Sequence, residues 1–563
     1  MKKYIKNICC ALAVAATFTA CDSKLDVHNP NNFSDEQIMS LLKDGTDEQR
    51  VLILGGLANG MPGNMCLNNS VLAGGFSNSS SNEWAHNMFR TLQSGDVVYG
   101  DNQHTSGWGV YYTNDPSYTY WVTTNNAECY GYWASPSIII GNANKVLQFL
   151  GVDENGEDIV GDSKLLKEYK ARCLVVRGMG YMQLMERFTK AYLHGGKEGH
   201  GMPIYTDFGY NDPKAPATAK ETWDFIINDL KEAQKLFQES GIGTDGYTMG
   251  LTNDQVYEID RAVANYMLAR AALWVGDDAT AITACQDIMN HYNWQFIKEE
   301  HYGVSNTRMA AICAGTDDVK ADDNAFLCVA KNPETIFGWT TDASVYSWSH
   351  LNALANGSNM TTNAYYQIDN ALWAKMADND YRKERFLAQE SDEFGYFAIV
   401  SGDTVPWPRT IPAYTNLKWA ATIASDESTR RHDRSNSDVV LLRTSEVVLM
   451  LAEAQAQSGD EQGAKTTLNK LLAARTKAGT TTLTCDNYPS MQGMSVLNMV
   501  KLQWRIECWG ENGWKFWNSK RWGEVPAYEG SNHWSQKRTV EHTTWEIPDN
   551  ETQTNPHWSN VAR

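Results

Sequence analysis

The run Leu442-Arg443-Thr444-Ser445-Glu446-Val447-Val448-Leu449-Met450-Leu451-Ala452-Glu453-Ala454 decides the fold prediction. Residues 445–458 behave like the other long amphipathic segments of the chain, which is typical of a helix with a buried face. The helix is followed by Gly459-Asp460, a glycine that can end one helix and an aspartate that can cap the next. The stretch therefore predicts two consecutive helices joined by a short turn.

The same pattern occurs once more, 183 residues earlier in the chain. Tyr266, Ala271, Gly276, Asp277, Ala281, Cys285 and Ile288 recur with identical spacing as Leu449, Ala454, Gly459, Asp460, Ala464, Leu468 and Leu471. Alanines where two helices approach closely make each copy resemble the helical hairpin of tetratricopeptide repeats. Because the copies are so far apart, we expect a mostly α fold in which such hairpins are interrupted by large insertions.

Further helices are predicted by the same periodicity. The segments are 164–188, which follows the capping pair Asp162-Ser163, together with 221–237, 261–274 and 445–458. Cys173 and Cys285 fall on apolar helix faces and are expected to be core residues, as are Trp223 and Trp274.

Loop-rich insertions are predicted near 99–135 and 331–420. Residues 99–135 and 331–365 are crowded with Gly, Asn, Ser, Thr and aromatic residues, and long loops of this kind are usually functional when ordered. Residues 403–419 contain three prolines and are expected to form a surface excursion. The segment 33–563 is otherwise predicted to be a single domain.

The N-terminal sequence is typical of a lipoprotein signal peptide. A cationic start is followed by the apolar run 8–18, and Phe18-Thr19-Ala20-Cys21 places small residues before a cysteine. We expect residues 1–20 to be removed, Cys21 to be acylated and residues 21–32 to form a tether. The alternative is an ordinary signal peptide that ends at a chance cysteine. No later run reaches the roughly 18 apolar residues of a spanning helix, so the lipid would be the only membrane attachment.

Charge and aromatic content narrow the choice of ligand. The 563 residues include 48 Lys and Arg against 67 Asp and Glu, a formal net charge of −19, which disfavours nucleic acid and anionic lipid surfaces. The 20 tryptophans outnumber the 16 phenylalanines, although phenylalanine fills a core more easily because it has no donor to satisfy. Some of the indole rings are therefore expected to face a ligand.

Several passages together resemble the SusD/RagB family of Bacteroidetes outer-membrane nutrient-binding lipoproteins. They include 142–147 after Trp133, Arg177 with Tyr181 and Leu184, 202–204, 229–233 and, most specifically, 442–454. The C-terminal passage departs from the family pattern, since Gln503 and Asn518 stand at acidic positions and Lys515 stands at an arginine position. Because lysine lacks the bidentate fork of arginine, we expect the ionic network there to be altered.

The resemblance implies a SusD-like helical fold, a surface location at the outer membrane, a SusC-like TonB-dependent transporter as partner and a glycan as ligand. Sugars pack their C–H faces on aromatic rings and hydrogen-bond through their hydroxyls. We therefore place the ligand among aromatic residues in or near the insertions. These candidates are Trp84, Trp108, Trp121, Trp339, Tyr346 and Trp348. For each of them, packing beneath its own loop is an equal alternative.

Signatures of catalysis are weak. Residues 241–246 satisfy the pattern G-x-G-x-x-G, but the segment follows a helix rather than a strand, so a loop is the better interpretation. The acidic residues near 317–323 lack the spacing of an EF-hand. We expect no enzyme activity, cofactor or metal. Two alternatives stay open: the same scaffold binding peptide or another nutrient, and a lipid-anchored glycoside hydrolase.

Overall fold

The computed structural model describes residues 34–58, 90–91, 93–99, 127–152, 156–209, 212–248, 258–313, 316, 323–339, 366–390, 397–400, 403–406, 412–419, 438–533 and 543–560. The signal segment, Cys21 and the tether lie outside these residues, so their roles stay predictions. None of the described helices is long and apolar enough to cross a membrane.

The protein is mostly helical, as predicted. The helices are α1 (Asp35–Asp44), α2 (Asp47–Ala58), α3 (Ala127–Phe149), α4 (Lys164–Phe188), α5 (Ala219–Ser240), α6 (Arg261–Val275), α7 (Asp278–His291), α8 (Asn306–Cys313), α9 (Asn370–Lys375), α10 (Thr444–Gln457), α11 (Glu461–Ala474), α12 (Val496–Glu507), α13 (Trp514–Arg521) and α14 (Asp549–Thr554). The helix cap predicted at Ser163 is present, because the Ser163 side chain accepts a hydrogen bond from the backbone N–H of Leu166. Helix α4 therefore begins at the predicted residue.

Both copies of the repeat form helical hairpins, α6–α7 and α10–α11. Gly276 and Gly459 end the first helix of each pair with φ of 77° and 88°, a left-handed conformation that suits glycine. Asp277 and Asp460 then cap the second helices through the backbone N–H groups of Thr280 and Gly463. In space α7 packs on α10, so the two hairpins adjoin despite their distance in sequence.

The helices form successive layers around one hydrophobic core. Helix α4 packs between α3 and α5, α5 packs on α6, and α10 packs on both α11 and α12. The rings of Trp223 and Trp274 stack with centroids 5.8 Å apart and join α5 to α6. Cys173 and Cys285 are fully buried, so these four predicted core residues are confirmed.

Short strands complete the described part of the chain. They are β1 (Val97–Tyr99), β2 (Thr335–Trp339), β3 (Tyr366–Ile368), β4 (Phe397–Val400), β5 (Asp403–Pro406) and β6 (Val439–Arg443). All pairs are antiparallel: β1 with β3, β2 with β6, and β4 with β5.

Two predictions about the insertions need correction. Helix α3 begins at Ala127, so the last part of the predicted loop-rich segment 99–135 is helical; the buried Cys129, Tyr132 and Trp133 give it a face that packs into the core. Residues 415–419 are buried rather than part of a surface excursion, because they pack beside β3 and the ring of Trp419 contacts Trp509.

Candidate functional site

The two aromatic insertions are attached side by side. Strand β1 leads from Tyr99 into residues 100–126, and residues 340–365 lead into β3 at Tyr366. Tyr99 is paired with Tyr366 in the antiparallel register of β1 and β3. The first insertion therefore begins next to the residue at which the second insertion ends.

A third excursion is attached beside the second one. Strand β2 ends at Trp339, which is paired with Val439, the first residue of β6. The same strand pair thus holds the start of residues 340–365 and the end of residues 420–437. Strand β6 continues directly into α10, which connects these attachment points to the helical hairpins.

Residues 414–416 add a second neighbour to β3. The backbone N–H of Ile368 donates to the carbonyl of Tyr414 at 3.0 Å, and the backbone N–H of Asn416 donates to the carbonyl of Tyr366 at 3.0 Å. We call β1, β3 and residues 414–416 the insertion base. It is a small hydrogen-bonded platform to which the insertions are attached.

Asp96 fixes the insertion base to the C-terminal helices. The guanidinium of Arg505, near the end of α12, donates to both carboxylate oxygens, with its Nη2 2.6 Å from Oδ1. The indole N–H of Trp509 donates to the carbonyl of Asp96 at 2.7 Å. Asp96 is buried, so this two-oxygen contact with arginine holds the start of β1 tightly.

Asp369 fixes the other side of the base. One carboxylate oxygen caps α9 through the backbone N–H groups of Ala371 and Leu372, and the other accepts from the backbone N–H of Gly530 at 2.7 Å. The ring Nε2 of His533 lies 2.7 Å from this second oxygen. Burial acts to raise the pKa of Asp369, but the hydrogen bonds from His533 and Gly530 outweigh it and hold that pKa below its ordinary value.

A buried ionic cluster lies at the end of α12. Glu507 accepts from Arg443 at 2.7 Å, from Arg475 at 2.8 Å and from Arg382 at 2.9 Å, and all four side chains are almost fully buried. Burial opposes ionisation of Glu507, yet Arg475 and Arg443 outweigh that effect and keep its pKa well below the ordinary range. Glu507 is therefore a charged centre at neutral pH.

The cluster extends through two further carboxylates. Glu334, next to β2, accepts from Arg443 at 2.7 Å and from Arg475. Glu511 accepts from Arg443 at 2.7 Å and from Lys418. The cluster thus ties β2, β6 and α12 together and supports the strand pair that carries the second insertion.

Glu446 differs from these carboxylates. It accepts from the hydroxyl of Tyr266 at 2.5 Å and from the indole N–H of Trp514 at 3.0 Å. Burial raises the pKa of Glu446 to about 7, and Arg443 offsets only part of that rise. The first acidic residue of the deciding stretch is thus a hydrogen-bonded core residue that joins the two hairpins to α13.

Two protein-family models match the chain, one over its C-terminal part and one over its N-terminal part. The model described as the SusD family matches residues 309–561, which include the ionic cluster and the second hairpin. A model described as "Starch-binding associating with outer membrane" matches residues 69–242. The chain belongs to the SusD family. The family resemblance of the sequence is therefore confirmed.

Solved structures share the SusD-like fold at low sequence identity. A SusD-like carbohydrate binding protein from Bacteroides vulgatus is 19% identical with a TM-score of 0.62, and the match covers 90% of this chain and 96% of that one. A SusD superfamily protein from the same species is 18% identical with a TM-score of 0.63, covering 90% and 97%. Surface glycan-binding protein A from Bacteroides fluxus is 15% identical with a TM-score of 0.56, covering 90% and 98%. No curated protein sequence matches this chain significantly.

The C-terminal departures from the SusD pattern leave the ionic network assembled. Gln503 keeps an acceptor role, since its Oε1 accepts from Arg382 at 2.7 Å. Asn518 accepts from Arg521 at 3.1 Å, and Arg521 also pairs with Glu453 at 2.5 Å. Relative to the family pattern, two carboxylate charges are thus lost. At both positions an amide oxygen still accepts a hydrogen bond from an arginine guanidinium. Lys515 is different and lines a groove described below.

The ligand-binding residues predicted from the aromatic content in and near the insertions stay predictions. Trp339 is the last residue of β2, at the start of the second insertion. Trp84, Trp108, Trp121, Tyr346 and Trp348 lie outside the described residues. Among the described residues, no group of three or more His, Cys, Asp or Glu is placed to hold a metal ion.

Sequence reasoning missed Asp96 and Asp369, which hold the insertion base. Asp96 precedes β1 and Asp369 follows β3. Each strand has three residues, which is too short to show a recognisable alternation of polar and apolar residues. Their partners, Arg505 and His533, come far later in the chain. The one available signal was the position of each aspartate at the edge of an aromatic-rich segment.

Proposed function

We propose that the protein is a cell-surface lipoprotein that binds oligosaccharide or polysaccharide and delivers it to a TonB-dependent transporter of the outer membrane. The observation that carries the proposal is the pairing of Tyr99 with Tyr366. It attaches the two insertions that contain the candidates Trp108, Trp121, Tyr346 and Trp348 next to each other. Aromatic residues from both segments can then contribute to one binding surface.

The chemistry of such a surface suits a sugar. Tryptophan and tyrosine rings offer flat apolar faces for C–H groups, and the neighbouring asparagines and aspartates offer partners for hydroxyls. Two similar solved structures support the proposal of a sugar ligand, because one is described as a carbohydrate binding protein and the other as a glycan-binding protein. A family model is described as associating with the outer membrane, which supports that location.

Hydrolysis is the less supported alternative. A glycoside hydrolase needs two carboxyl groups that flank the scissile bond. The buried carboxylates of Glu334, Glu507 and Glu511 are instead occupied by arginine and lysine side chains. Capture without cleavage is therefore the function that the described carboxylates favour. Peptide capture stays a second candidate, because aromatic platforms also suit peptides.

Lipid attachment at Cys21 is part of the proposal. Cells expressing the protein would be labelled with an alkyne-tagged palmitate, and the Cys21→Ser variant would serve as the matched control. Label on the parent chain and none on the variant supports acylation at this residue. Equal labelling of both chains contradicts it.

The binding proposal is tested by calorimetric titration of the mature chain, from residue 22 onward, against a panel of polysaccharides. Each solution is then assayed for released reducing ends. Heat of binding without new reducing ends supports glycan capture and identifies the sugar class. New reducing ends favour the hydrolase, and no heat with any polysaccharide contradicts glycan capture and directs the search to peptides.

A further inference from the structure

A groove lies on the far side of Arg505 from the insertion base. It runs between α12, α13 and residues 522–529, and its volume is about 420 Å³. Volumes of roughly 300–1,000 Å³ are typical of small-molecule sites. Arg505 connects the groove to the insertion base, because the same guanidinium donates to Glu529 at 2.8 Å and to Asp96 at 2.6 Å.

The lining of this groove is rich in cations, although the whole chain has a net charge of −19. Lys375 pairs with Glu529 at 2.5 Å, and Lys501 pairs with Glu524 at 2.6 Å. Arg505 pairs with Asp96 and Glu529, as described above. Each of these three cations thus has a carboxylate partner.

Lys515 is the exception. Within the described part of the chain, its ammonium group has no hydrogen bond and no ion pair, although the side chain is half-buried between the other charges. Burial, and then the positive charge of Arg505, lower the pKa of Lys515. The carboxylates of Asp96, Glu524 and Glu529 partly offset this shift, but the same three carboxylates already pair with the other three cations of the groove. One positive charge is left for a ligand to neutralise.

The remaining lining suits a sugar ring. Trp522 is half-buried in the groove, and the ammonium of Lys501 lies 4.8 Å from the centre of its ring. Leu502 and the exposed Val525 add apolar surface, and Asn498 adds an amide for hydroxyl groups. An apolar platform next to polar partners and one uncompensated cation matches a saccharide that carries a single anionic group.

We propose that this groove binds a carboxylate-bearing saccharide, whose carboxylate pairs with Lys515 and whose ring packs against Trp522. The saccharide part rests on the proposed glycan capture, but the site is separate from the aromatic insertions. Arg505 lines the groove and also holds Asp96, the residue that precedes β1 of the insertion base, so one side chain connects the groove to the base.

The test is calorimetric titration of the mature chain with glucuronic acid, with glucose as the neutral counterpart and sodium sulfate as the free anion. We expect glucuronic acid to bind and glucose to bind at least tenfold more weakly. Lys515→Met should lower the affinity for glucuronic acid by a similar factor, and Lys515→Arg should retain it. Lys465→Met is the matched control, because Lys465 is a half-buried lysine on α11 that pairs with Asp486 and does not line the groove.

Three results would overturn the proposal: no heat with glucuronic acid, equal affinity of the parent chain and Lys515→Met, or sulfate binding as tightly as glucuronic acid. The last would assign the groove to a free anion. Melting temperatures of all variants show whether they fold, and Lys515→Arg keeps the test valid if the methionine variant does not. Binding of neutral polysaccharides reports on the proposed function separately, because it should survive at the insertions when Lys515 is replaced.

Discussion

Arg443 donates from Nη1 to Oε1 of Glu507 at 2.7 Å, and neither side chain is accessible to solvent. This contact joins the strand that enters α10 to the last residue of α12. Since Arg443 also contacts Glu334 and Glu511, a single guanidinium organises three carboxylates from two parts of the chain. The ionic cluster thus acts as one unit that connects β2, β6 and α12.

Replacing Glu507 with Gln should destabilise the protein strongly. The variant keeps the shape of the side chain but leaves Arg443, Arg475 and Arg382 short of one negative charge in a buried place. Removing one partner from a buried ionic cluster costs about 3–5 kcal/mol. The apparent free energy of unfolding in urea measures the loss. Glu239→Gln, at an exposed pair with Lys167, should leave the unfolding midpoint close to that of the parent; equal losses in both variants would show that the cluster is not the cause.

Glu446 should make the stability depend on pH. Its pKa is raised to about 7 from an ordinary 4.5, so the folded state holds a proton that the unfolded state releases. Its contribution is therefore full below about pH 4.5 and falls as the pH rises to about 7. Glu446→Gln removes this dependence, and the variant should gain up to about 3 kcal/mol relative to the parent chain between pH 5 and pH 8.

Melting temperatures of the parent chain and Glu446→Gln at several pH values measure this gain. A constant difference between the two proteins across the range would show that Glu446 does not titrate there. The amide oxygen of the variant can accept from the indole N–H of Trp514, and its amide nitrogen can donate to the hydroxyl oxygen of Tyr266, so both contacts can be kept with the direction of the Tyr266 hydrogen bond reversed.

Asp96→Asn should weaken glycan binding although Asp96 is not predicted to touch the ligand. The amide cannot accept from Arg505 through two charged oxygens, so the start of β1 and the insertion base should loosen. We expect a several-fold loss of affinity and a lower melting temperature. Asp486→Asn, at an exposed pair with Lys465, is the control. Unchanged affinity in Asp96→Asn would mean that the base does not position the ligand site.

Trp339→Ala and Trp348→Ala should abolish glycan binding and leave the melting temperature nearly unchanged. The reason is that residues of a binding platform add little to the core. Trp223→Ala is the opposite control: Trp223 is 2% exposed and stacks on Trp274, so its loss should cost about 3–5 kcal/mol. If either binding variant lost stability as well as affinity, that tryptophan would be a packing residue.

Much of the helical scaffold was predictable, because its signals are local. The capping residue Ser163 predicts the first residue of α4, and Gly276 and Gly459 predict the turns of the two hairpins. Each of these signals acts within four residues of the feature that it determines. The SusD resemblance rested on the same kind of local pattern in α10.

The strand pairs and the insertion base could not be predicted in this way. Tyr99 and Tyr366 meet through backbone hydrogen bonds that carry no side-chain signature, and strands of three residues show no periodicity. The burial of Trp419 depends on Trp509, which comes much later in the chain. The candidate ligand residues stayed predictions for a related reason: their roles depend on which insertions meet, and composition does not specify that.

The separation of 409 residues between Asp96 and Arg505 has a consequence for biogenesis. A chain is synthesised with its N-terminus first, so Asp96 must wait for Arg505 and Trp509, and Asp369 must wait for His533. A polypeptide truncated before Arg505 would contain both aromatic insertions and lack the side chains that secure their base. A securely held insertion base would thus be acquired only by a completely synthesised molecule, which is a built-in check on chain completion.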